Sequence, residues 1–245
     1  VNGITSAATL AARERLDLGI SDTLTNREHA LIHSGTDMAI GGALDANRQA
    51  TGQANTVNNN SATIEAGANL QLSATNLNNT NEHYSTEIKS YGTPYAKNWS
   101  RGDVNDYFTY NTTVTEEESV VVTSDPGKIY AGAAITLRGT NLTNDKSQII
   151  AGGLLQGDLV NLNNIEAVGV HKLYETGTVV ERIHRHQGGI NSRDWYDYYT
   201  TGYNPAVVVT SVTLPVTYAR QNTKPTGTGT QIAALNISSL YKTNP

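Results

Sequence analysis

The chain has 245 residues, enough for one domain or two, and is mildly acidic, with 17 Lys and Arg against 22 Asp and Glu and a net charge of −5. That balance excludes a general nucleic-acid binder, which needs a basic surface, and no apolar run reaches the roughly 18 residues of a membrane-spanning helix. Only 16% of residues are charged, a composition suited to stacked, Asn- and Thr-rich strands, and cysteine is absent, which by itself says little about compartment.

The chain opens "VNGITSAATL", without an initiator Met or a basic-then-apolar leader, and reads as a piece of something longer. A repeat follows. Its clearest copy starts at Ile64, with Gly67, Leu70, Leu72, Leu77 and Asn79 at offsets +3, +6, +8, +13 and +15. The same offsets from Ile129 give Gly132, Ile135, Leu137, Leu142 and Asn144, and from Ile149 they give Gly152, Leu155, Gly157, Leu162 and Asn164. An earlier copy starts at Ile32, with Gly35, Met38, Ile40, Asp45 and Asn47. A degenerate one precedes it in Leu10, Leu16, Leu18, Leu24 and Asn26.

A period near 20 residues points to a solenoid. The L-x-L pairs alternate with period two and place both side chains on one face of a strand. Gly at +3 and Asn at +15 tolerate left-handed backbone angles and are expected at corners. The predicted fold is all-β, a parallel β-helix of ~20-residue coils. Equivalent Asn side chains should form amide ladders between coils. Ile64, Leu70, Leu72, Leu77, Ile129, Ile135, Leu137, Leu142, Ile149, Leu155 and Leu162 should point inward.

The repeat lapses twice. Coils occupy 1–80, 128–167 and 227–245; insert one occupies 81–127 and insert two 168–226. Of the 13 Tyr, two Trp and one Phe, only Tyr130 and Tyr241 fall outside the inserts. "NWSRGDVNDYFTYNTTVTEEESVVVTS" and "NSRDWYDYYTTGYNPAVVVTS" both run from Ser-Arg through an Asp-aromatic cluster to VVVTS. Both inserts read as antiparallel β excursions from the stem. Insert one has three Lys and Arg against eight Asp and Glu, and insert two has six against four. Opposite charge favours contact between them. Both leave the stem after "NLNN" (76–79 and 161–164), and so from the same side.

Other motifs carry less. The Arg-Gly-Asp of 101–103 reads as a turn, because its counterpart in insert two lacks the Gly. His184 and His186 share a strand face about 7 Å apart, but neither His171 nor Glu181 is fixed nearby as a further ligand, so no metal is expected. Glu116, Glu117 and Glu118 read as a solvated edge that discourages strand pairing. Coil acids fall at unrelated offsets and no nucleotide-binding or hydrolase fingerprint occurs. Neither catalysis nor a cofactor is expected.

The stretches "LTNREHALIHSGTDMAIGGALDANRQATG" and "SATIEAGANLQLSATNLNNTNEHY" resemble the haemagglutinin-repeat stem of large two-partner-secretion exoproteins, the filamentous haemagglutinin adhesins and the CdiA-type effectors of contact-dependent growth inhibition. The resemblance implies a right-handed parallel β-helix, secreted and displayed on the Gram-negative cell surface. It also implies a segment that meets an outer-membrane protein or glycan receptor on a neighbouring cell, with a host-directed adhesin or a passive spacer as alternatives. This fragment is expected to be a monomer that neither binds nucleic acid nor inserts into a membrane. Tyr and Trp with a little Arg is the composition of binding hot spots. The expected partner-binding residues are Trp99, Arg101, Tyr107, Phe108, Tyr110, Arg193, Trp195, Tyr196, Tyr198, Tyr199 and Tyr203.

Overall fold

A computed structural model describes residues 1–216. The expected end of insert two (217–226) and the coil expected at 227–245 lie outside the described residues. Every assigned element among those described is a strand. The first coil holds β1 (Thr9–Ala12), β2 (Leu16–Gly19) and β3 (Thr23–Arg27), and the second holds β4 (Leu31–Ser34) and β5 (Met38–Gly41). A hairpin, β6 (Ala43–Leu44) and β7 (Ala50–Thr51), then precedes β8 (Ala54–Asn60), which completes the second coil. The third holds β9 (Thr63–Ala66) and the bent strand β10 (Leu70–Thr80).

Insert one supplies β11 (Ser85–Ser90), β12 (Tyr95–Gly102) and β13 (Tyr107–Thr123). The fourth coil is β14 (Lys128–Ala131), β15 (Ile135–Arg138) and β16 (Asn141–Asp145). The fifth is β17 (Gln148–Ala151), β18 (Leu155–Asp158) and β19 (Asn161–Ile165). Insert two supplies β20 (Val168–Gln187), β21 (Arg193–Tyr203) and β22 (Val208–Thr213).

Each coil gives one strand to each of three parallel ladders, the arrangement of a β-helix. One ladder runs β1-β4-β9-β14-β17. A second pairs β2, β5, the first half of β10, β15 and β18, and a third pairs β3, β8, the second half of β10, β16 and β19. Leu72 and Leu137 are paired neighbours despite the long insert between them.

The repeat's apolar positions fill the interior. Ile32, Ile64, Ile129 and Ile135 are fully buried, and Leu70, Leu72, Leu77, Leu137 and Leu142 nearly so. The fifth coil departs from the expectation. Ile149 is half-buried, while Leu155 is 49% exposed and Leu162 67% exposed. A solenoid buries a coil only between neighbours, and no described coil lies beyond this one.

A column of asparagines locks the stack. Asn2 donates to Asn26 (2.9 Å), Asn26 to Asn59 (2.9 Å), Asn59 to Asn79 (2.8 Å), Asn79 to Asn144 (2.8 Å) and Asn144 to Asn164 (2.7 Å). Asn26, Asn59 and Asn79 are wholly buried. Their amides also reach the carbonyls of Thr63, Lys128 and Gln148, each at the start of the coil after next, so each Asn satisfies a corner as well as a rung.

Three details of the repeat are corrected. In the second coil Val57 and Asn59 occupy the expected positions of Asp45 and Asn47, which instead turn the β6–β7 hairpin. There Asp45 Oδ1 accepts from the backbone N–H of Asn47 (2.8 Å) and Gln49 (2.9 Å). The column Gly35, Gly67, Gly132 and Gly152 is not left-handed. A Cβ there would overlap a carbonyl oxygen of the preceding coil, so close approach demands the glycine. The left-handed residues of the corner are Glu28 (φ 54°) with His29 (φ 61°), Ser61 (φ 44°) and Lys146 (φ 49°), just past the strand-bound Asn26, Asn59 and Asn144.

Candidate functional site

The two inserts are one sheet. β13 pairs antiparallel with β20 from Tyr107↔Arg182 to Glu118↔His171, although the strands come from excursions separated by two coils of stem. β11 and β12 flank β13 on one side, and β21 and β22 flank β20 on the other. The inserts leave from β10 and β19, which sit either side of β16 in one ladder, so they depart about 10 Å apart and from the same side.

Strand alternation sorts the expected site residues onto two faces. Cross-strand rows place Trp99, Tyr110 and Val179 together, then Arg101, Phe108, Glu181 and Tyr199, with Trp195, Arg193 and Tyr203 on the same face. Tyr107, Tyr196 and Tyr198 lie on the opposite face.

On the first face Trp99 stacks on Tyr110 at 3.7 Å between centroids and 1° between planes, and Tyr203 meets Tyr110 edge-on at 5.0 Å. The Arg101 guanidinium sits over Phe108 at 5.6 Å and Tyr110 at 5.8 Å. On the second face Arg182 lies between Tyr107 (3.9 Å) and Tyr196 (4.4 Å). Tyr110 is buried at 5% and Trp99 is half-buried, so these two anchor the sheet itself. Trp195 (40%), Tyr196 (43%), Tyr198 (62%) and Tyr199 (49%) remain exposed on β21, and Arg193 with them.

Polar contacts join insert to insert. Glu175 accepts from Lys97 Nζ (2.9 Å), Thr112 Oγ1 (2.7 Å) and Trp99 Nε1 (3.4 Å). Those donors, Lys97 first, hold its carboxyl below the usual range. Glu116 pairs with His171 (3.0 Å), Glu117 accepts from the Tyr174 hydroxyl (3.0 Å), and Asp106 accepts from the His184 backbone N–H (2.6 Å). The acidic run 116–118 is therefore no solvated edge. It lies on an interior strand, with Glu116 and Glu117 bonded to insert two.

The Arg-Gly-Asp of 101–103 spans the end of β12 and the turn into β13, where Gly102 has φ 122° and Asp103 accepts from the backbone N–H of Asn105 (2.8 Å) and Asp106 (2.9 Å). Those donors lower the Asp103 carboxyl. His184 and His186 both approach Asp194 Oδ1, at 3.4 and 2.6 Å, and the hydrogen bond with His186, first among these contacts, lowers the Asp194 carboxyl. Glu181 lies on the other face and His171 is engaged by Glu116.

Sequence reasoning missed Glu175, Lys97, Thr112 and Arg182, which hold the join. Their only signal was the opposite net charge of the inserts, which does not single out residues.

Residues 3–105 and 109–169 match a family model described as the haemagglutinin repeat, which takes in the stem and most of insert one. No curated protein and no solved structure matched the chain.

Proposed function

We propose a function from one premise: the chain belongs to the haemagglutinin repeat family, whose members are secreted, surface-exposed proteins. The chain is the recognition segment of a large secreted filamentous exoprotein of the two-partner-secretion type. Its stem is a right-handed β-helix of about 20-residue coils, the hand that parallel crossover connections almost always take. Its two-insert sheet binds an outer-membrane protein or glycan on a neighbouring bacterium, in contact-dependent growth inhibition. It acts by binding rather than by catalysis.

One observation carries this reading. Two excursions far apart in the chain pair into a single sheet, and that sheet carries exposed aromatics and Arg193 at β21. An insert serving only the stem has no need of the other insert's hydrogen bonds. Rigid Tyr and Trp side chains give contact area at low entropic cost, and Arg adds directional donors.

The test is retention of the chain by outer-membrane preparations from target bacteria, with Trp195→Ala beside the parent. Trp195 is exposed and its loss leaves the stem intact, so binding should weaken by about 2 kcal/mol or more, the scale of a hot spot. Equal binding by the variant removes β21 from the receptor site. Retention only by eukaryotic host membranes would replace the bacterial target with a host-directed adhesin.

A further inference from the structure

We propose a divalent transition-metal site at the root of insert one, built from His29, His83 and Asp125. One ligand atom from each falls within 4.8 Å of the others. The three come from separate segments: His29 from the corner between β3 and β4, His83 from the turn between β10 and β11, and Asp125 from the link between β13 and β14. A bound ion would tie the outgoing and returning arms of the insert to the stem.

The geometry favours a ligand over a plain ion pair. Asp125 Oδ2 is buried and makes no hydrogen bond, although His29 Nδ1 lies 2.7 Å away. The two atoms approach outside hydrogen-bond geometry, so the Asp125 oxygen is left without a donor. The His29 and His83 rings stack at 5.8 Å and 23°. Glu28 Oε2 lies 3.5 Å from His83 Nε2 but is not among the three residues that converge, and its other carboxylate oxygen accepts from Arg27. Metal–ligand bonds of about 2.0–2.1 Å put ligands roughly 3–3.5 Å apart. His29 and His83, whose side chains are 64% and 43% exposed, have room to adjust: the 2.7 Å approach of His29 to Asp125 must open slightly while the wider separations close.

The root is otherwise prearranged. Asn81 donates to Ser124 (3.0 Å) and accepts from the Asp125 backbone N–H (3.1 Å), and Thr123 donates to the His83 carbonyl (2.8 Å). Two imidazoles and carboxylate oxygen suit Zn²⁺ and its neighbours, whereas Ca²⁺ and Mg²⁺ take oxygen alone.

The experiment titrates Zn²⁺ into the untagged, chelator-treated chain by calorimetry and by competition with a chromophoric chelator. One ion should bind per chain and raise the melting temperature. His83→Ala, His29→Gln and Asp125→Asn, each with the parent's circular dichroism, should weaken binding at least about tenfold and lose the thermal shift. A variant lacking both His184 and His186 should bind as the parent does. Parent binding no tighter than that of His83→Ala, or loss confined to the His184/His186 variant, overturns the site.

Discussion

The stem and the insert sheet solve the same problem, the pairing of strand edges, by opposite means. In the stem one unit is repeated, each strand lies parallel to its equivalent in the next coil, and the interior is apolar with a buried asparagine column. In the inserts the strands are antiparallel, the partners come from different excursions, and the contacts are stacked rings, guanidiniums and carboxylates. A repeat is stabilised locally, so its parts are interchangeable. The sheet depends on β13 meeting β20, so each insert completes the other's sheet. Both tryptophans, Trp99 and Trp195, lie in the inserts. Tryptophan fluorescence therefore follows the sheet, and far-ultraviolet circular dichroism follows both regions.

The largest expected effect sharpens the stem half of the comparison. Leu137→Ala, in a position only 3% exposed, should cost about 2–5 kcal/mol, as buried Leu truncations do. Leu162→Ala changes the residue two steps along the ladder from Leu77, through Leu142, where exposure is 67%. It should cost under about 0.5 kcal/mol. Equal losses in denaturant unfolding would break the claim that neighbouring coils, and not the repeat itself, bury these residues.

Next comes the asparagine column. Asn79→Ala removes donors to Gly127, Asn144 and Gln148 and the acceptor for Asn59. Each buried group left unpaired costs about 1–3 kcal/mol, so the variant should unfold at clearly lower denaturant by circular dichroism. Asn78→Ala, whose amide bonds to Asn58 on a part-buried outer face, should cost less.

The smallest effect belongs to the sheet. Glu175 has its carboxyl lowered from the ordinary 4.5, chiefly by Lys97. A depressed carboxylate contributes stability that is full above its ordinary value and lost as pH falls through the lowered one. Below pH 4.5, tryptophan-monitored stability should fall with acid in the parent and less steeply in Glu175→Gln. Parallel curves for the two proteins would remove Glu175 from the join.

The parallel stem was legible because its rule is local: Ile129 to Leu142 repeats the pattern of Ile64 to Leu77 offset for offset, and the structure pairs them in that register. The hairpin at 43–51 was missed because Asp45 and Asn47, chosen for turn chemistry, fell by coincidence on repeat offsets. The truer signal was "VNNN", which puts Val57 and Asn59 two apart, as Leu77 and Asn79 are. The glycine column was found for the wrong reason, since overlap with the coil beneath is a tertiary constraint that no single unit displays. Contact between the inserts followed from their charges and departure points. Its register did not, because both sheet faces mix polar and aromatic residues, and alternation fixes register only where one face is apolar and buried. That is why the acidic run looked like an edge.

The central claim is that the two inserts fold as one sheet in the register Asn111↔Thr178. The chain has no cysteine, and both positions are exposed, so a cysteine pair reads that register without competition. Asn111→Cys with Thr178→Cys should oxidise to an intramolecular disulfide, since antiparallel partners lie about 4.5–5.5 Å apart at Cα, within disulfide reach. Asn111→Cys with Gly202→Cys, one strand further in the same row and roughly 10 Å away, should stay reduced. Closure of the second pair and not the first, or only disulfides between chains, would contradict the shared sheet.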